Sequence, residues 1–224
     1  MSEDILKLLL ESFFKILIPG LTVTIPLTLI AFFLAMIIAV FTAMIQYAKV
    51  PVLRQAARFY IWVIRGTPLL VQLYVVFFGL PSIGIKVEAF PAAVAVFAVN
   101  EGAYCAETMR AAIESVPAGQ LEAGYCVGMN YAQIMMRIVL PQAFRTAFPP
   151  LFNSLIGMVK DTSLAANITV AEMFFATQRI AGRTYQFMAL YLELALIYLI
   201  FSTVLTRVQA YGEKRLNSYG GSRN

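Results

Sequence analysis

Asn100, Glu101, Tyr104 and Glu107 stand close together in a stretch that is otherwise apolar from about Ala89 to Ile113. Ionisable groups in such a stretch are unfavourable in hydrocarbon, so they face a bundle interior or a water-filled path, and each needs a partner or a ligand. On a helix Asn100, Tyr104 and Glu107 share one face, with Glu101 and Thr108 on the adjoining strip. From a helix start near Ala89, Glu101 lies about 18 Å along the axis, near the middle of a hydrocarbon core roughly 30 Å thick. It is the first candidate for a ligand-binding group; the alternative is a protonated or paired carboxyl that locks helices together. Glu107 has Arg110 three residues on, the spacing of a helical ion pair, which favours a structural role.

A second polar group closes a later apolar segment. Lys160 and Asp161 are adjacent, point in different directions and need other partners, as glue between helices or as gate contacts. Asp161, Thr162 and Ser163 are further candidates, since the end of a spanning helix would expose them to a path. Gln72 is another, two turns from Arg65, for which snorkelling to the headgroups is the favoured reading and a gating role the alternative. Glu193 is alone near the middle of a last apolar segment and is read as a protonated carboxyl against another helix.

The elements that must carry these groups follow from composition. With 60% hydrophobic and 13% charged residues, the 224-residue chain has lipid as its main solvent. Apolar segments cover about 16–48, 56–79, 89–113, 144–162 and 184–206, one all-α integral membrane domain over residues 1–224 with five spans. The first is longer than one perpendicular span and is read as a tilted helix starting near Leu21, with Pro19-Gly20 before it and a possible kink at Pro26. The second ends at the turn signal Leu80-Pro81-Ser82-Ile83-Gly84. Residues 162–183 read as a mixed helical connector.

Glu3, Asp4, Lys7 and Glu11 at the N-terminus are unlike a signal peptide, so none is expected. The net charge of +5 is scattered between apolar runs rather than gathered into a stripe, so no nucleic-acid partner is expected. The chain has no histidine, which removes His-based triads and His-ligated zinc; no metal site and no catalytic set is assigned. Cys105 and Cys126 are not expected to form a disulfide. No Gly-x4-Gly-Lys-Ser/Thr stretch occurs, so ATP hydrolysis is not expected of this chain. With the N-terminus outside, the inner face holds Lys49, Arg54, Arg58, Arg65, Arg110, Arg137, Arg145, Arg207, Lys214, Arg215 and Arg223. The outer face holds only Lys7, Lys15, Lys86, Arg179 and Arg183, a bias that places the C-terminus and the polar segment 114–142 in the cytoplasm.

That segment carries the most specific pattern in the chain: Glu122-Ala123-Gly124, then Gly128-Met129-Asn130, then Arg137-Ile138-Val139-Leu140-Pro141. It reads as a helix with Glu122 near its start, a break at Gly128, and a second helix that Pro141 ends. The pattern resembles the EAA loop of permease subunits of ATP-binding-cassette importers, with Gly124 where Ala is usual. Arg65-Gly66-Thr67-Pro68-Leu69-Leu70, Asn100 with Ala103-Tyr104 and Ala106-Glu107-Thr108, Leu140-Pro141-Gln142-Ala143 and Val159–Ala165 extend the resemblance to the polar amino acid branch, with cystine importer permeases the most similar in general character.

The resemblance implies the type I importer permease fold with five helices and a cytoplasmic coupling helix in the bacterial cytoplasmic membrane. It also implies a second permease subunit, two ATPase subunits that bind Mg-ATP, and an extracytoplasmic substrate-binding protein. Glu122, Ala123, Gly124, Gly128, Met129, Asn130, Arg137, Ile138, Leu140 and Pro141 would then dock the ATPase. A polar amino acid would be the cargo; Glu101, which stands where the family more often has a small or hydroxylated residue, is the candidate acceptor for its ammonium group on the chemistry of a zwitterion alone. Two other readings are a proton-coupled secondary transporter using Glu101 or Glu193, and a membrane scaffold; five spans without an inverted repeat oppose the former, and unexplained central carboxylates the latter.

Overall fold

The computed structural model describes residues 2–47 and 50–218; Ala48, Lys49 and Arg223, invoked above, lie outside them. Those residues are helical almost throughout, with no strand among them. The first helix, α1 (Ser2–Pro19), passes through a π-helical turn at Gly20–Thr24 into α2 (Ile25–Tyr47). The sequence reading began this helix near Leu21, but Glu3 and Asp4 favour a helical N-terminus much earlier. Pro19-Gly20 lies within the continuous run. Pro26 has no N–H to give, and just before it the Ile25 N–H bonds to the Gly20 carbonyl, a one-residue shift that carries the helix through.

The second apolar segment is not one helix. Here α3 (Pro51–Arg65) and α4 (Leu69–Tyr74, prolonged by turns to Ile83) meet at 101°. Pro68 sits extended at φ −64°, ψ 137°, and disfavours a helical Thr67 before it. At Gly66 a Cβ would lie 2.8 Å from the Trp62 carbonyl. Gly84, at φ +87°, closes the turn the sequence placed after Leu80.

The central pair is α2 with α5 (Ala89–Glu114), packed along most of their length. Ala31, Ala35, Ala39 and Ala43 form a buried stripe on α2 that lets the backbones approach closely. At Gly102 of α5 a Cβ would meet Ile38 at 2.8 Å. Gly102→Val is therefore expected to destabilise the fold by about 1–3 kcal/mol through overpacking. Thermal unfolding of the detergent-solubilised protein checks this, with Gly119→Ala as control because nothing lies within 4 Å of a Cβ there. Equal melting of the two variants would contradict the close α2–α5 contact.

After α5 the chain forms α6 (Ala118–Cys126), then α7 (Tyr131–Ile134), which continues through a π-helical turn at Met135–Val139 into α8 (Leu140–Asp161). Two sequence expectations are corrected. Pro141 does not end a helix, because the π-helical turn just before it puts the Leu140 N–H on the Met135 carbonyl and shifts the bonding frame past the N–H that Pro141 lacks. Glu122 is the fifth residue of α6 rather than near its start, so the helix dipole does not explain it. A 3-10 turn (Thr162–Ile168), α9 (Met173–Thr184) and α10 (Phe187–Ser218) complete the chain, α9 and α10 packing with α1 around Ile16, Met173, Leu194 and Ile197.

Among the described residues three helices are long and apolar enough to cross a membrane, Glu3–Gln46, Ala89–Glu114 and Phe187–Leu216. The bent pair Pro51–Arg65 and Leu69–Ile83 can supply a fourth. The 22-residue α8 is more polar, since it carries Arg145, Lys160 and Asp161.

Candidate functional site

Asn100, Glu101 and Tyr104 of α5 meet Ser154, Gly157 and Asp161 of α8 around a cavity of about 370 Å³, completed by Leu69 and Leu164. That volume suits a small ligand. Glu101 is hydrogen-bonded to Ser154, and the Cys105 thiol donates to Glu101 Oε1 at 3.6 Å. Two carboxylates thus line one cavity, and neither lysine nor arginine is among the lining residues. Such a surface offers acceptors and negative charge, which suits a cationic group. Ser154, Gly157 and Asp161 were not all visible beforehand, although their i, i+3, i+7 spacing marks one face of a helix.

The other sequence candidates are not among the residues that line this cavity. Gln72 is tied to the α3–α4 bend and to Asn100, whose Nδ2 donates to Gln72 Oε1 at 3.0 Å. Glu107 belongs to a charged cluster, accepting from Arg110 Nη2 at 3.0 Å, Arg110 Nε at 3.1 Å and Gln46 Nε2 at 3.2 Å. Arg65 does not simply snorkel: its Nη1 lies 3.9 Å from Glu107, and its guanidinium carbon 5.0 Å from the centroid of the Tyr104 ring. Thr162 is fully buried and donates to the Val159 carbonyl at 2.7 Å. Thr162 and Ser163 also hydrogen-bond with Tyr198, so of this trio only Asp161 reaches the cavity. Glu193 accepts a hydrogen bond from Ser12 of α1.

A carboxylate that sequence reasoning passed over, Glu172, lies in the connector and is fully buried. It caps α9, accepting from the Phe174 and Phe175 amides at 2.9 and 2.7 Å, while Tyr198 donates to it at 3.4 Å. Burial pushes its carboxyl up to about 7, against the pull of those three donors. Its position between two apolar residues at the start of a helix was the available signal.

The polar loop between α5 and α8 is an elbow with both ends fixed. Gly128, at φ +80°, stops α6 with its N–H on the Tyr125 carbonyl and the Met129 N–H on the Gly124 carbonyl, each at 3.0 Å. Asn130 then opens α7, its side chain accepting from the Gln133 amide while the Gln133 side chain accepts from the Asn130 amide, both at 2.9 Å. Gly124 is buried against Ile134, whose Cγ1 would lie 2.8 Å from a Cβ, a local reason for glycine here. Glu122, Ala123, Gly128, Asn130, Arg137, Leu140 and Pro141 are exposed, Met129 and Ile138 half-buried.

Residues 35–218 match the family described as the binding-protein-dependent transport system inner membrane component. The chain belongs to this family. It is 46% identical over 210 residues to the L-cystine transport system permease protein TcyB of Bacillus subtilis, covering 93% of this chain and 90% of that protein. It is 39% identical to the probable amino-acid ABC transporter permease protein YckA of the same organism, over 95% of this chain and 94% of that one. In structure it is similar to an amino acid ABC transporter crystallised with histidines, with a TM-score of 0.87 and 33% identity over 92% of this chain and 96% of the other. The MetNI methionine ABC transporter shares the fold, at a TM-score of 0.68 and 17% identity over 96% and 99% of the two chains. As a family member the chain is an inner membrane component with several apolar helices.

Proposed function

We propose that this chain is the permease subunit of an ATP-driven importer for polar amino acids, with L-cystine as its cargo. The cavity carries this reading: Glu101 and Asp161 both line it, on different helices. L-cystine bears two ammonium groups, each needing a negatively charged acceptor away from water. The 46% identity to an L-cystine permease supports the same cargo.

The chain spans the cytoplasmic membrane five times, N-terminus outside, with α8 as a span and the elbow at Gly128 in the cytoplasm. A second permease subunit completes the path. Two ATPase subunits bind Mg-ATP and dock at the elbow, where Glu122 is exposed, and a substrate-binding protein delivers the cargo from outside. ATP closure opens the path outward and hydrolysis resets it inward. This chain itself does no catalysis.

Reconstitution tests the reading. In proteoliposomes holding the permease and its ATPase, with binding protein supplied outside, L-cystine uptake is expected to require ATP inside and to survive a protonophore. Uptake that persists without nucleotide and stops with the protonophore would establish a proton-coupled transporter instead.

A further inference from the structure

The two ends of a carboxamide have the same shape and opposite hydrogen-bonding character, so the surrounding network decides which end faces where. Gln72 Nε2 donates to three acceptors at the α3–α4 bend: the Ile64 carbonyl at 2.9 Å, the Thr67 carbonyl at 3.2 Å and Thr67 Oγ1 at 2.9 Å. Both carbonyls are acceptors only, which fixes the nitrogen of Gln72 at the bend and its oxygen at Asn100. Asn100 must then turn its own nitrogen toward Gln72, at 3.0 Å. With its nitrogen held on Gln72, the Asn100 amide keeps its carbonyl oxygen and one further N–H, and the oxygen is the acceptor it can offer to the cavity it lines.

We infer that Gln72 is a positioning residue that sets the polarity of Asn100, so that the cavity presents a third acceptor beside Glu101 and Asp161 and selects ligands with free ammonium groups. Gln72 makes no contact with cargo in this arrangement; it acts through Asn100. The bend explains why the device works. Gly66 and Pro68 interrupt the helix between Arg65 and Leu69 and leave the Ile64 and Thr67 carbonyls without their usual helical donors. Gln72, one turn into the next helix, is placed to satisfy them. The inference rests on the cavity being the cargo site.

The test is direct binding of L-cystine, and of N,N′-diacetyl-L-cystine, to the detergent-purified complex of permease and ATPase without binding protein. Omitting the binding protein matters, because its own affinity would otherwise govern capture. Gln72→Met removes the acceptor and frees Asn100 to turn; it is expected to weaken L-cystine binding about tenfold while barely changing the diacetyl compound. Gln72→Glu loses the donors to the bend but keeps an acceptor for Asn100 Nδ2, and is expected to stay within about threefold of the unaltered protein. A role confined to holding the bend would weaken both variants equally, and that result overturns the inference, as does no change in Gln72→Met. Should Gln72→Met fail to assemble, Asn100→Leu leaves the bonds of Gln72 to the bend in place and is expected to lose the same factor for L-cystine alone; unchanged binding there overturns the inference too. Glu101→Gln in the same assay separates the two levels. If it leaves binding unchanged, the cavity reading falls and the inference with it; if it weakens binding while Gln72→Met does not, only the inference falls.

Discussion

Glu101→Gln combined with Asp161→Asn is expected to weaken L-cystine binding by roughly a hundredfold or more and to abolish uptake at micromolar concentrations. Each change replaces a charge-assisted hydrogen bond to an ammonium group by a neutral one, and such bonds contribute about 1.5–3 kcal/mol, so each alone gives about tenfold. Glu101 is on α5 and Asp161 ends α8, and a cargo with an ammonium at each end would use both, so the double change removes both charged partners, while each single change measured beside it reads the coupling between two carboxylates that share a cavity. Both substitutions preserve shape, and the amide that replaces the α5 carboxylate could still meet Ser154. The complex should therefore assemble, which gel filtration with the ATPase establishes before binding is measured. A doubly substituted complex that binds and transports L-cystine as before would remove this cavity from the path.

Which parts of this site could be read from the chain depended on contrast. A carboxylate or asparagine in an apolar helix stands out, so Asn100, Glu101 and Tyr104 were identified together, and the structure brings all three to one cavity. Ser154 and Gly157 face it too, yet small residues are common in membrane helices and carry no such contrast. The direction of the chain was the least legible property. The stretch around Arg65–Leu70 is apolar enough for one straight span, and only the close approach of Gly66 to Trp62 and the extended Pro68 produce the 101° bend. The bend is not legible in the sequence, which offers Gln72 only as a candidate on the path; in the structure its nitrogen is engaged by the carbonyls that the bend releases.

Prolines misled for a related reason. Pro19 and Pro141 each read as a helix boundary, but a proline interrupts a helix only if the N–H it lacks is needed there. π-helical turns at Gly20–Thr24 and Met135–Val139 precede Pro26 and Pro141 and shift the bonding frame, so both helices run on. The glycine at 128 was read correctly as a break because its left-handed φ of +80° leaves little alternative.

That break leads to the second large effect. Gly128→Val places a β-branched side chain at a φ of +80°, where it is strongly disfavoured, and nothing crowds the position to offer another cause. The chain can relieve the strain only by giving up the bonds from Gly128 and Met129 that end α6, which swings α6 relative to α7. If α6 docks the ATPase as proposed, uptake should fall at least tenfold, and loaded binding protein should no longer stimulate ATP hydrolysis. Bilayer helices should be untouched, because Gly128 is exposed and lies outside the α2–α5 contact. Glu122→Lys probes the same surface without moving the backbone: the carboxylate is exposed and makes no ion pair among the described residues, so reversing its charge should weaken association with the ATPase while the permease alone melts normally. Co-purification and stimulated hydrolysis measure the two arms separately. Normal coupling in both variants would mean that the elbow, however firmly built, is not where chemical energy enters the membrane.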